Sequence, residues 1–228
     1  MYYKIFEEMT STMEPGAYKE EIFDGLSRLF KALSNPGRLE IIELLSQGEK
    51  SVEAMVQGTG MSVANTSQHL QLLKNNNIVR SRKEGHYVYY SLISDEFLSL
   101  YLQMTKYAVA EIAELVRRID RQREGLVSQD AVGLDELESK LEAGNVLLLD
   151  LRPTSEYESG HITGARSIPM GDLLASLKSL TREQEIVAYC QGPFCLLTDE
   201  AVRILKENGY SARRLETGYP GWKVRQLK

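Results

Sequence analysis

Two rhythms of apolar residues run along this chain and change over near its middle. Up to about residue 124 the apolar positions mostly recur at steps of three and four, the spacing of helix faces. Ser34-Asn35-Pro36-Gly37 separates two such patterns. Asn35 suits a helix cap and Pro36 a first helical position, opening Arg38 to Ser46. Ser51 caps a short segment, Val52 to Gln57, Gly58-Thr59-Gly60 breaks it, and Ser62 caps a third helix, Val63 to Asn75. An alternating run, Ile78 to Lys83, a Glu84-Gly85-His86 turn and Tyr87-Val88-Tyr89-Tyr90 then predict a β-hairpin with a charged tip. From Asp95 to about Glu124 the spacing of Phe97, Tyr101, Met104, Ala108, Ile112, Leu115 and Ile119 predicts one long helix. Its stripe packs either on its own domain or, because it overhangs a small domain, against a second copy.

After Gly125 short apolar runs alternate with helical patterns. Helices are expected over Leu134 to Ala143, around Tyr157, over Met170 to Leu180 and over Leu196 to Asn208. Strands are expected at Val146 to Asp150, Ile186 to Tyr189 and Ala212 to Glu216. This order implies a mainly parallel sheet covered on both faces. The expected organisation is multidomain: a mainly-α helix-turn-helix unit over 1–125, then an α/β unit over 126–228.

Charge and composition refine that outline. The net charge is −5, so no global basic field points to nucleic acid. Between Gly60 and Ser91, however, Lys74, Arg80, Arg82 and Lys83 stand against Glu84 alone, and a local basic patch suffices to meet a phosphate backbone. The longest apolar runs, such as Val146-Leu147-Leu148-Leu149, are too short to span a bilayer. The first residues show no secretory pattern, and there are only 2 cysteines, so a reducing cytoplasm is expected.

In the helix Val63 to Asn75, Val63, Leu70 and Leu73 are expected to face the core. Ser62, Asn65, Thr66, Ser67, Gln68, His69 and Gln71 offer the short hydroxyl and amide groups that base edges and phosphates accept in a major groove. Arg80, Arg82, Lys83 and His86 on the hairpin are placed to touch adjacent phosphates or a minor groove. A polar face alone is common on solvated helices; the order helix, turn, polar helix, basic hairpin is what gives it weight. Ala32 to Leu39, Ser67-Gln68-His69-Leu70-Gln71-Leu72-Leu73 and Glu84 to Tyr90 resemble the ArsR family of winged-helix repressors over about residues 20–120. The resemblance implies a homodimer on a palindromic double-stranded operator, with Val63 to Asn75 as recognition helix and the hairpin as wing. The family's metal-binding cysteines on the preceding helix have no counterpart in Val52 to Gln57, so no metal and no other cofactor is expected.

Both cysteines lie in Tyr189-Cys190-Gln191-Gly192-Pro193-Phe194-Cys195-Leu196, between a strand and a helix. Backbone amides and the helix dipole favour an anion there and lower a thiol's pKa. This loop, with Leu149-Asp150-Leu151-Arg152, Tyr157 to Ala165 and Gly218-Tyr219-Pro220-Gly221-Trp222, resembles a single-domain rhodanese over about residues 132–228. The resemblance implies that Cys190 accepts a sulfane sulfur as a persulfide. The amides of Gln191, Gly192, Phe194, Cys195 and Leu196 would point inward at it, while Pro193 has no N–H to offer.

The loop also departs from the pattern. It carries no charge from Cys190 to Leu196, which disfavours thiosulfate, and it lacks the arginine a phosphatase or arsenate reductase would place at Leu196. Cys195 is either a small buried apolar residue or a resolving thiol. Asp150 and Arg152 are expected to brace the loops, His161 to anchor one, and Tyr219 and Trp222 to cap the core. The expected function is a transcriptional repressor whose operator binding follows persulfidation or oxidation of Cys190. The competing reading is a sulfurtransferase tethered to a DNA-binding domain, and a third has the second half serve only to dock a partner.

Overall fold

The computed structural model describes residues 15–124 and 131–226. The boundary expected from Gly125 to Ala131 lies mostly outside the described residues. In the first half α1 (Pro15–Leu33), α2 (Pro36–Ser46), α3 (Val52–Thr59) and α4 (Val63–Asn75) surround one core, with β1 (Lys50–Ser51) between α2 and α3. Asn35 caps α2, Ser51 caps α3 and Ser62 caps α4, each side chain accepting from an amide three residues on. A hairpin of β2 (Val79–Glu84) and β3 (Tyr87–Leu92) follows, and β1 adds to its inner edge in the antiparallel order β1-β3-β2. Ile41, Ile42, Met55, Leu70, Leu73, Ile78 and Leu98 are fully enclosed here. Each such side chain contributes about 1.5–3 kcal/mol relative to exposure.

The long helix expected from Asp95 is two. α5 (Asp95–Glu111) stops at Ile112, whose backbone turns to an extended conformation (φ −90°, ψ 96°), and α6 (Ala113–Arg123) starts in a new direction. That turn carries Arg123 to the second half. The shared three-four spacing on both sides hides the break, since periodicity does not report a single non-helical residue.

The second half is a five-stranded, all-parallel sheet in the order β4-β8-β7-β5-β6. Its strands are β4 (Ala131–Val132), β5 (Val146–Asp150), β6 (Arg166–Ser167), β7 (Glu185–Tyr189) and β8 (Ala212–Leu215). Helices α7 (Leu134–Glu142), α8 (Thr154–Ser159), α9 (Leu173–Ser176), α10 (Leu196–Glu207) and α11 (Gly218–Arg225) cover it. The single helix expected over Met170 to Leu180 is one α-helical turn flanked by two 3-10 turns. Two apolar clusters, one on each face, enclose the sheet. The two halves touch: Val224 of α11 packs against the first core, and the Lys223 ammonium lies 2.7 Å from Asp95.

Candidate functional site

Two sites emerge, one on each half. On the first, α4 and the hairpin present polar groups to solvent. Leu70 and Leu73 face inward as expected, but Val63 is 61% exposed on the projecting first turn, and Thr66 takes the inward place instead. Thr66 lies one turn before Leu70, so helical geometry buries it; its hydroxyl has no partner among the described residues. Thr66 is therefore withdrawn from the expected DNA-contacting set. Ser62 is spent partly on its cap, and Asn65, Gln68 and Gln71 are exposed, with Ser67 and His69 half-buried. Partial burial and the neighbouring Arg38 push His69 below the usual histidine value, which favours the neutral ring.

On the wing, Arg80 donates to Ser91 (3.1 Å), while Lys83 and His86 are exposed at the tip. Arg82 differs from expectation. Its guanidinium donates to both Glu49 oxygens (2.8 and 2.9 Å), pairs with Glu84, and lies 4.6 Å from the Tyr89 ring centre. Glu49 was not singled out from sequence, because a partner 33 residues away across a strand edge leaves no local pattern. An apolar cavity of about 780 Å³ opens between α1, α2, α5 and α6 and the cysteine loop of the second half, bounded by Phe30, Leu39, Tyr101, Met104, Ile119 and Phe194.

The second site is the cysteine loop at the end of β7. Cys190 is buried and Cys195, the residue before α10, is half-buried; both are free thiols. The two thiols are coupled, and ionising one disfavours ionising the other. The neighbouring Cys195 and burial push Cys190 up, whereas Cys195 is drawn down to about 7 by Cys190 and by the amides of Leu197, Thr198 and Gln191. In the resting loop the thiolate is therefore favoured at Cys195 rather than at Cys190. The reason is position: Cys195 opens a helix, where amide donors and the dipole favour its thiolate, and Cys190 sits deeper.

The cradle is also differently built. The Gln191 amide addresses both sulfurs, but the Cys195 N–H is spent on the Gly192 carbonyl (3.2 Å), closing a turn. Gly192 lies against Gly218, whose positive φ (65°) and 2.8 Å clearance from Cys190 O and from Gly192 N and Cα admit no side chain. The Phe194 side chain is 43% exposed and the Leu196 side chain 37%, so neither side chain closes the loop. The Cys190 carbonyl accepts from Tyr219 N–H (3.1 Å), which tethers the loop to the Gly218-to-Trp222 motif.

Asp150 and Arg152 are fully enclosed. Arg152 holds Asp150 through Nε (3.0 Å) and Nη2 (2.6 Å), donates to Gly160 O (2.8 Å), and stacks 4.0 Å from the Tyr219 ring. His161 Nδ1 lies 2.9 Å from Tyr157 O and its ring stacks on Tyr157, away from the thiols. Several side chains missed from sequence surround the loop. Gln47 donates to Gln191 O (2.7 Å) and accepts from Arg152 Nη1 (3.3 Å). Glu156 accepts from Gln191 Nε2 (3.0 Å) and Lys50 (2.9 Å). Arg123 donates to Pro193 O and lies 3.4 Å from the buried Asp199. Residues that meet only across domains carry no spacing signal. No cluster of three or more His, Cys, Asp or Glu among the described residues could hold a metal, and no described helix is long and apolar enough to cross a membrane.

The fold joins a winged helix to a parallel-sheet domain with a strand-end cysteine loop, and the comparisons match both parts. Residues 35–81 match the family described as bacterial regulatory protein, arsR family, and residues 133–225 match the rhodanese-like domain. HTH-type transcriptional regulator Rv0324 of Mycobacterium tuberculosis is 38% identical over 210 residues, covering 92% of this chain and 92% of that protein. The arsenical resistance operon repressor of Staphylococcus xylosus is 39% identical over 82 residues, 36% of this chain and 73% of that one. The solution structure of the homodimeric winged helix-turn-helix DNA-binding domain Mb0332 (fragment 1–100) of Mycobacterium bovis covers 42% of this chain and 89% of its own, at 35% identity and a TM-score of 0.40. The chain belongs to the ArsR family of DNA-binding transcriptional regulators and carries a rhodanese-like domain behind its winged helix.

Proposed function

We propose that this regulator is a homodimeric repressor whose hold on its operator follows the sulfur state of the Cys190–Cys195 pair. The observation that carries the reading is the pair itself: two free thiols on one strand-end loop, one of them drawn down to about 7, with that loop contacted by the DNA-binding half. A second copy would cover the exposed apolar side chains Phe23, Leu26 and Phe30 of α1 and Tyr107 of α5. Asn65, Gln68 and Gln71 of α4 would then read base edges, and Lys83 and His86 the phosphates.

The chemistry balances with a persulfide donor, RS–SH. As the Cys190 sulfur attacks the sulfane sulfur, its proton passes to the Cys195 thiolate. The donor's S–S bond breaks, RS⁻ leaves and takes that proton as RSH, and Cys190 becomes a persulfide. The Cys195 thiolate then attacks the Cys190 sulfur, forming a disulfide and expelling HS⁻. Two thiols are oxidised and one sulfane sulfur is reduced to sulfide. A peroxide reaches the same disulfide through a sulfenic acid on Cys190, with water leaving in the second step. The absence of charge from Cys190 to Leu196 disfavours the dianion thiosulfate as donor.

Operator binding by fluorescence anisotropy, with and without a persulfide donor, tests this in wild type, Cys190→Ser and Cys195→Ser. The donor response is expected to vanish in Cys190→Ser; undiminished sensitivity in that variant rejects the reading. Rapid steady-state sulfur transfer with operator affinity indifferent to the donor would instead mark a tethered sulfurtransferase.

A further inference from the structure

The loop that carries the thiols and the wing that faces DNA are joined by five consecutive residues, Gln47 to Ser51. Each makes a different contact. Gln47, 1% exposed, donates its Nε2 to Gln191 O (2.7 Å) and to Ser46 Oγ (2.8 Å), and its Oε1 accepts from Arg152 (3.3 Å). A carbonyl accepts only and a guanidinium donates only, so the orientation of this amide is dictated by its partners. Gly48, at φ 138°, passes so near α8 that an added Cβ would stand 3.0 Å from Ser159 Cβ. Glu49 pairs with wing residue Arg82. Lys50 reaches Glu156 (2.9 Å), the carboxylate that also holds the Gln191 side chain, while its backbone pairs with Tyr90 of β3. Ser51 pairs with Tyr89 and caps α3, the first helix of the helix-turn-helix.

Gln191 is therefore gripped twice from this segment, directly at its carbonyl by Gln47 and through Glu156 by Lys50. It is also the residue bonded directly to Cys190, inside the stretch that a Cys190–Cys195 bond would close. A new Cys190–Cys195 bond closes a ring through Gln191, Gly192, Pro193 and Phe194, and the narrow geometry of a disulfide then shifts the Gln191 peptide. We infer that Gln47–Ser51 is the transmission element of this protein, a bridge through which the Gln191 peptide sets the placement of β3, Arg82 and α3. Gln47 and Lys50 act as positioning residues. The inference rests on the regulatory reading above and names its route. Because Arg123 holds Pro193 O independently, loss of one grip leaves the loop docked.

The test uses the full chain as wild type, Gln47→Glu, Gln47→Met and Lys50→Met, with glutathione persulfide as donor and an operator duplex selected with the reduced protein. Gln47→Glu keeps the acceptor for Arg152 and removes the donor to Gln191; Gln47→Met removes both; Lys50→Met cuts the second grip should the buried position tolerate neither change. Intact mass reports the sulfur chemistry, anisotropy the affinity, and backbone amide resonances of Tyr89 and Tyr90 the wing strand. Wild type is expected to change affinity about 10- to 100-fold on treatment, a usual size for coupled sites. Each Gln47 variant is expected to react as fully yet change less than about threefold, with Tyr89 and Tyr90 unmoved. If wild type responds and all three variants respond equally, the bridge is overturned and the regulatory reading stands. If wild type takes up sulfur and keeps its affinity, both fall.

Discussion

The two halves treat charge in opposite ways. The DNA-facing half keeps Lys83, His86, Gln68 and Gln71 on its surface, with Arg82 held by exposed carboxylates. The sulfur half encloses Asp150 and Arg152 completely and sets Asp199, 1% exposed, between Arg123 and Arg214. The difference follows from what each must hold still. A surface that meets phosphate needs cations ready to exchange water and counterions for a ligand. A loop that holds a thiolate in place needs its supports fixed beforehand, which the enclosed, hydrogen-bonded Asp150–Arg152 pair provides.

Breaking the enclosed side should cost most. Arg152→Ala strands Asp150 without its partner, and the second half is expected to lose about 3–5 kcal/mol, read as an earlier denaturant midpoint. A change below 1 kcal/mol would mean that the pair is replaceable by water. On the exposed side, Gln68→Ala should leave stability nearly unchanged and weaken operator binding by about 1–3 kcal/mol, with relaxed preference at one base pair. A uniform loss across all sequences would place Gln68 on phosphate instead.

The thiol pair sharpens the contrast through pH. A thiol drawn down to about 7 is protonated below that value and ionised above it, so alkylation of Cys195 should rise about tenfold between pH 6 and 8 and then level. The sign for stability is the same: a depressed pKa favours the fold above the unfolded thiol's range, and that contribution is lost as pH falls through about 7. A rate still climbing steeply above pH 8 would mean an ordinary thiol. The smallest effect is expected at the wing. Lys83→Ala should reduce the salt dependence of operator binding by about one counterion, measured as the slope of affinity against salt concentration. Glu49→Gln should act in the opposite sense by releasing Arg82 for phosphate.

Much of the architecture was legible because local chemistry suffices for it. Asn35, Ser51 and Ser62 mark helix starts by their side chains alone, and alternation from Ile78 to Tyr90 announces the hairpin. The three-four stripe did not reveal the break at Ile112, and it put Val63 inside and Thr66 outside, because the stripe does not show that the first turn projects past the core while Thr66, one turn before Leu70, lies over it. At the cysteine loop, the strand, turn and helix were readable, while the relative acidity of Cys190 and Cys195 was not. That depends on which sulfur the amides of Leu197 and Thr198 reach.

What the amino-acid order determined by itself is therefore the pair of folds, their sequence along the chain, and the placement of both thiols on one strand-to-helix turn. Each of these rests on contacts within a few residues or on a repeating spacing. Only the tertiary structure decided that Gln47, Lys50 and Arg123 reach the loop, and that Glu49 occupies Arg82. Those partners lie 144, 106, 70 and 33 residues apart. Separations of that size leave no periodic trace, because it is the packing of one half on the other that brings the groups within hydrogen-bond range.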